Sequence, residues 1–92
     1  MDLGLTGKVA LVTAASHGLG RATALAFGRE GAKVAICSRD AAALESTAAA
    51  IRADSGAEVK AFTCDLVDPT QIVAMIAGVV ARFGTIHALI NN

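Results

Sequence analysis

TAASHGLG, residues 13–20, stands between the apolar run VALV (residues 9–12) and an alanine-rich stretch that opens with Arg21. An apolar run that breaks at small residues and glycines before a helix-forming segment reads as a strand-to-helix turn. Gly18 and Gly20 would let the backbone pass close to phosphate oxygens, and the free N–H groups of the first helical turn would supply donors. Small Ala15 and the hydroxyl of Ser16 suit a crowded anion site. Ala14 stands where such a turn more usually carries glycine: it is harmless if φ stays negative, and strained by roughly 1 kcal/mol or more if φ must be positive. A tight turn without a ligand is the alternative reading.

Two familiar nucleotide loops fail on spacing. The G-x-G-x-x-G fingerprint would need a glycine at position 23, which is Thr23, and a P-loop would need Gly-Lys-Ser or Gly-Lys-Thr, which the sequence lacks.

Outward from the turn, short β-branched runs alternate with longer helical stretches. KVALVT (8–13), KVAICS (33–38), EVKAFTC (58–64) and IHALIN (86–91) read as four strands. The first, second and fourth are nearly all apolar, as burial on both faces of a parallel sheet requires, and the fourth suits an interior position better than an edge. The first helix is expected from about Gly18 to Gly31. The second starts near Asp40, buries Leu44, Ala48 and Ile51, and stops at Gly56. In the third, Ile72, Ile76, Val79 and Phe83 share one face. Asp68-Pro69-Thr70-Gln71 offers that helix an N-cap, a proline at the first position and a glutamine three residues on, and Gly84 offers a left-handed stop. The order βαβαβαβ implies right-handed crossovers and a doubly wound parallel α/β sheet in one domain.

The chain has 92 residues, 54% hydrophobic and 17% charged. That is apolar for so small a body, so part of its surface is expected to lie against the remainder of a larger protein. Eight basic and eight acidic residues cancel and intersperse, which argues against nucleic acid or an anionic membrane as a partner. MDLGLTGK at the start has neither the basic opening nor the apolar stretch of a signal peptide, and no segment approaches the roughly 20 apolar residues of a membrane span. A soluble cytoplasmic protein is the expectation. Cys37 and Cys64 close apolar runs outside any metal-binding spacing and read as small buried residues. His87 reads as packed within the fourth strand, and Asp54 and Glu58 as solvated charges around Gly56.

Residues 13–20 resemble the T-G-x-x-x-G-x-G loop of the short-chain dehydrogenase/reductase family, with Ala14 replacing its first glycine. Three more segments match in order. GKVALVT (7–13) resembles the opening strand, CDLVD (64–68) the adenine-pocket segment, and ALINN (88–92) the beginning of N-N-A-G. Four ordered matches along the chain are far more specific than one loop. The resemblance implies a Rossmann-type sheet, here reaching its fourth strand, that holds a nicotinamide dinucleotide. Thr13, Ala15, Ser16, His17, Gly18, Leu19 and Gly20 would form the phosphate-holding turn. Asp65 would accept a hydrogen bond from the adenine amino group with Leu66 beside the ring, and Asn91 would lie by the adenosine ribose and help hold the sheet together. NAD-preferring relatives place an acid at the end of the second strand; here that position is Ser38, followed by Arg39. A serine and a guanidinium suit the 2′-phosphate of NADP(H), which is expected over NAD. His17 stands where many NADP-dependent relatives carry a basic residue, and Asp40 should be occupied as the N-cap of its own helix.

The family's chemistry is hydride transfer between nicotinamide and a carbonyl or alcohol carbon of a small molecule, using a serine and a Tyr-x-x-x-Lys pair downstream of N-N-A-G. This sequence contains no tyrosine. No catalytic or metal-binding residue is therefore assigned, and the chain alone is expected to be inactive, as the N-terminal part of a longer oxidoreductase. The SRD (38–40) and CDLVD segments look closest to those of 3-oxoacyl reductases, and relatives commonly form dimers or tetramers. A dinucleotide-binding module without catalysis, and a flavodoxin-like domain, are the competing readings.

Overall fold

In a computed structural model describing residues 4–92, the chain runs β1 (Val9–Val12), α1 (Gly18–Arg29), β2 (Lys33–Ser38), α2 (Ala41–Ser55), β3 (Val59–Thr63), α3 (Pro69–Phe83) and β4 (Ala88–Ile90). Residues 1–3, part of the segment read above for a leader, lie outside the described residues. The strands form one parallel sheet in the order β3-β2-β1-β4. From β1 the chain steps to β2 and β3 on one side, then returns to lay β4 on the other. That reversal opens a crevice beyond the carboxyl ends of the strands, the usual ligand position in such a sheet.

Alternation along β2 divides the core. Val34 and Ile36 join Val12, Leu44 and Ile51 beneath α1 and α2, whereas Ala35 and Cys37 join Leu11, Met75 and Val79 beneath α3. α1 and α2 approach closely at Gly28, where a Cβ would stand 2.9 Å from both Ile51 Cγ2 and Ser55 Oγ. Arg29 reaches across the same seam with two hydrogen bonds to the Asp54 carboxylate, at 2.6 and 3.2 Å. Asp54 is thus paired instead of merely solvated, and the hydrogen bond from Arg29 holds its carboxyl below the usual range. Glu58 likewise lies 3.7 Å from Arg82.

The helix ends follow their sequence signals. The Asp40 carboxylate accepts from the Ala43 amide at 3.0 Å, and α2 closes on left-handed Gly56. Asp68 caps α3, Pro69 opens it and Gly84 closes it. Gln71 departs from a simple capping box: it donates to the Asp68 carboxylate at 3.1 Å and accepts from the Asp65 amide at 2.8 Å, fastening the segment after β3 to the helix.

Two expectations need correcting. Met75 and Val79 are the buried residues of α3, with Ile72 and Phe83 half-buried and Ile76 42% exposed. Met75 and Val79 pack with Val9, Leu11, Ala35 and Cys37, while Ile76 borders a groove shared with Leu89. β4 is the last strand of the sheet among the described residues, with Leu89 63% exposed. His87 precedes β4 and is exposed; its Nδ1 accepts from the Val9 amide at 2.9 Å while its own amide donates to the Val9 carbonyl. Its side chain therefore extends the β1–β4 ladder where the backbone leaves it. No helix of the described residues is long and apolar enough to cross a membrane.

Ile36 is wholly buried between the sheet and two helices, so Ile36→Ala should lower the unfolding free energy by about 2–5 kcal/mol in urea titrations. Asp68→Ala, which removes only a cap, should cost about 1 kcal/mol.

Candidate functional site

A cleft of about 480 Å³ lies beyond the carboxyl ends of β1, β2 and β3, lined by Ala14, Ser16, His17, Ser38, Arg39, Asp40, Cys64, Asp65, Leu66 and Val67. The fold thus gathers Ser16, His17, Ser38, Arg39, Asp65 and Leu66 from three separate strand ends. Ala15 is buried behind the turn, its amide donating to the Cys37 carbonyl at 3.2 Å. Gly18, Leu19 and Gly20 form the first turn of α1, with Leu19 75% exposed. Thr13 and Asn91 face elsewhere, along an apolar groove of about 270 Å³ that also touches Leu66 and Leu89.

The turn is shaped by two constraints. Ala14 has φ 50°, in the left-handed region, and is the non-glycine residue that adopts it among the described residues. The question left open by its methyl group is answered: the turn needs positive φ there, and alanine is held in it at a cost of roughly 1–2 kcal/mol. Gly20 explains the shape. A Cβ at Gly20 would collide with the carbonyl oxygen of Ala14 and stand 2.9 Å from its carbonyl carbon, so the turn folds directly onto the helix backbone. Only glycine leaves room for that approach.

Thr13 fastens the turn to β4. Its amide donates to the Ile90 carbonyl at 2.9 Å and its hydroxyl donates to Asn91 Oδ1 at 2.9 Å. From the other side, the Asn92 amide donates to the Thr13 hydroxyl at 3.1 Å and Asn92 Nδ2 donates to the Thr13 carbonyl at 2.8 Å. Asn91 is therefore engaged in holding the sheet. Asn92, to which the sequence analysis gave no role, completes this fastening from behind the turn.

Helix ends and side chains set the electrostatics. α2 and α3 are capped by Asp40 and Asp68, but His17 at the head of α1 makes no side-chain cap. The positive end of α1 and its unpaired first-turn amides are thus left for an anion. The Ser38 hydroxyl accepts from the Asp40 amide at 3.0 Å, which leaves its own hydrogen to donate. Arg39 is exposed and has no ion-pair partner among the described residues. Asp40 is divided between its cap and His17 Nε2, 3.8 Å away. Across the cleft, Asp65 Oδ1 accepts from the Val67 amide at 3.0 Å and fixes the turn that presents Leu66.

Cys64 lines the cleft wall and Cys37 lies beneath it; both are free and buried. Burial, with a smaller push from Cys64, raises the Cys37 thiol to about 11, and burial followed by Asp65 and Asp68 also raises Cys64. Neither is a reactive thiolate near neutral pH. Among the described residues no group of His, Cys, Asp and Glu is arranged to hold a metal ion.

Ala14→Gly should therefore raise the unfolding free energy by about 0.5–1 kcal/mol, since relief of the left-handed strain outweighs the added freedom of the unfolded chain. Gly20→Ala should lower it by about 1–3 kcal/mol, because two backbone segments must part. Chemical denaturation reads both. Both cysteines should resist iodoacetamide at pH 7.5 in the folded protein and react after unfolding, as followed by mass.

Comparison with known proteins places this arrangement. The family model described as short chain dehydrogenase matches residues 8–92. Granaticin polyketide synthase putative ketoacyl reductase 1 of Streptomyces violaceoruber is 42% identical over 84 residues, 91% of this chain and 30% of that protein. The structure of L-sorbose reductase from Gluconobacter frateurii complexed with NADPH and L-sorbose superposes with a TM-score of 0.96 at 34% identity, covering 100% of this chain and 35% of that one. NAD+-bound xylitol dehydrogenase superposes at 0.89 with 35% identity, covering 92% of this chain and 32% of its own. The chain spans about a third of the length of the curated relatives it matches. With its sheet order, its glycine turn and a family match along nearly all its length, the chain belongs to the short-chain dehydrogenase/reductase family of oxidoreductases.

Proposed function

We propose that these residues are the N-terminal, dinucleotide-binding part of an NADP(H)-dependent oxidoreductase acting on a carbonyl or alcohol carbon of a small molecule. The observation that carries the reading is the cleft in which an uncapped helix N-terminus, the Ser38–Arg39 pair and the Asp65–Leu66 turn converge. In it the pyrophosphate lies against the first-turn amides of α1, with Ser16, Gly18 and Gly20 giving close backbone approach and Thr13 and Ala15 fixing the turn from behind. Ser38 and Arg39 take the 2′-phosphate, with His17 beside them. Asp65 accepts from the adenine amino group and Leu66 covers the ring. Asn91 stands near the ribose mainly as a sheet fastener. The bound nicotinamide supplies or takes up the hydride; this chain's residues hold the dinucleotide in place.

The proton-transfer residues expected from the family belong, on this proposal, to parts of the protein beyond these 92 residues, which contain no tyrosine. The ketoacyl and sugar reductases among the relatives support a ketone, or the alcohol made from it, as substrate. NAD remains the competing cofactor because xylitol dehydrogenase is bound to NAD+ and Asp40 puts a carboxylate at the same strand end. Two features weigh against it: the strand itself ends in Ser38, and Asp40 is committed to the Ala43 amide and faces His17.

Titration of the complete protein should find NADPH bound at least about tenfold more tightly than NADH, and Arg39→Ala should remove most of that difference while leaving NADH unchanged, since hydrogen bonds to charged groups contribute about 1.5–3 kcal/mol. Equal affinity for the two, unaffected by Arg39→Ala, would overturn NADP(H) preference. Tight NADPH binding without turnover on any ketone would favour the non-catalytic module.

A further inference from the structure

Thr47 is a fully buried polar residue, at 0% exposure, on the face of α2 that turns toward α1. It does not line the cleft. Its hydroxyl accepts from Arg21 Nη1 at 3.3 Å and donates to the Ser16 carbonyl at 3.5 Å. The direction of this relay is fixed by chemistry. A guanidinium is a donor only, so the Thr47 oxygen must accept there, and its single hydrogen is left for Ser16.

We infer that Thr47, held by Arg21, is a positioning residue for the phosphate-binding turn: it sets the plane of the peptide between Ser16 and His17 and so aims the His17 amide. The inference rests on the dinucleotide reading above. Among the described residues no peptide is cis, and in a planar trans peptide the N–H points opposite to the C=O. Drawing the Ser16 carbonyl toward α2 therefore turns the His17 N–H away from α2. Ser16 and His17 both line the cleft, and His17 is the N-cap of the helix whose amides would meet the anion. A peptide free to rotate would sometimes present its carbonyl, a negative dipole end, where a donor is wanted. Arg21 has a second effect: its charge is kept within the first turn of α1 by the same hydroxyl.

The surroundings separate this role from packing. Thr47 sits between Leu44, Ala48 and Ile51 in the apolar face of α2, where valine would fill the same volume. Valine keeps the volume and removes the hydroxyl's two bonds, so a comparison of valine with serine at this position isolates what the hydroxyl does for the turn.

The test is NADPH titration and steady-state kinetics on the complete protein with Thr47→Val, Thr47→Ser and Arg21→Met. Thr47→Val should weaken NADPH binding about three- to tenfold, the effect of one intramolecular hydrogen bond, with kcat at saturating NADPH unchanged. Thr47→Ser should restore wild-type affinity. Arg21→Met, half-buried at the surface of α1, should weaken binding about two- to threefold and decides the matter if Thr47→Val fails to fold. Wild-type affinity in Thr47→Val, or equal losses in Thr47→Val and Thr47→Ser, overturns the inference while leaving the dinucleotide reading standing. Failure of the wild-type protein to bind either nucleotide overturns both.

Discussion

The backbone contact between Gly20 and the Ala14 carbonyl is the constraint around which the carboxyl end of the sheet is built. Because the helix begins in contact with the turn that precedes it, the intervening residues must double back, and Ala14 is driven into the left-handed region to let them. The strain is held by its neighbours on both sides. The Ala15 amide is bonded to β2 through the Cys37 carbonyl, and Thr13 is bonded to the end of β4. Strained backbone persists where surrounding structure over-determines it, and here the strained residue lines the cleft itself.

Much of this was legible in the sequence. Signals that act over three or four residues did well: Asp40, Asp68 and Pro69 opened helices, and Gly56 and Gly84 closed them, because a cap is satisfied within one turn whatever lies beyond. The face of α3 was not legible in this way. Ile76 and Met75 are adjacent, and the choice between them depends on the roll of the helix over the sheet, which periodicity leaves free.

The cleft was legible residue by residue but not as a network. Ser38, Arg39, Asp65 and Leu66 could be named from the segments they end, and the fold brings them to one place. Asn92 and Thr47 could not be, because an amide after a strand and a threonine in an alanine-rich helix are ordinary until their partners, 79 and 31 residues away, are known. Polar side chains that hold a site from behind carry no local signature. His87 belongs to the same class: its ring looks like strand filling and in fact completes a ladder.

The fastenings of Thr13 span 77 to 79 residues. β1, α1 and β2 are joined by contacts near in sequence, whereas these bonds close a loop of nearly the whole described chain, with the entropy that such closure costs. The glycine turn is thus made by neighbours at one end of the chain and held by residues from the other. Its shape depends on β4 as much as on its own glycines.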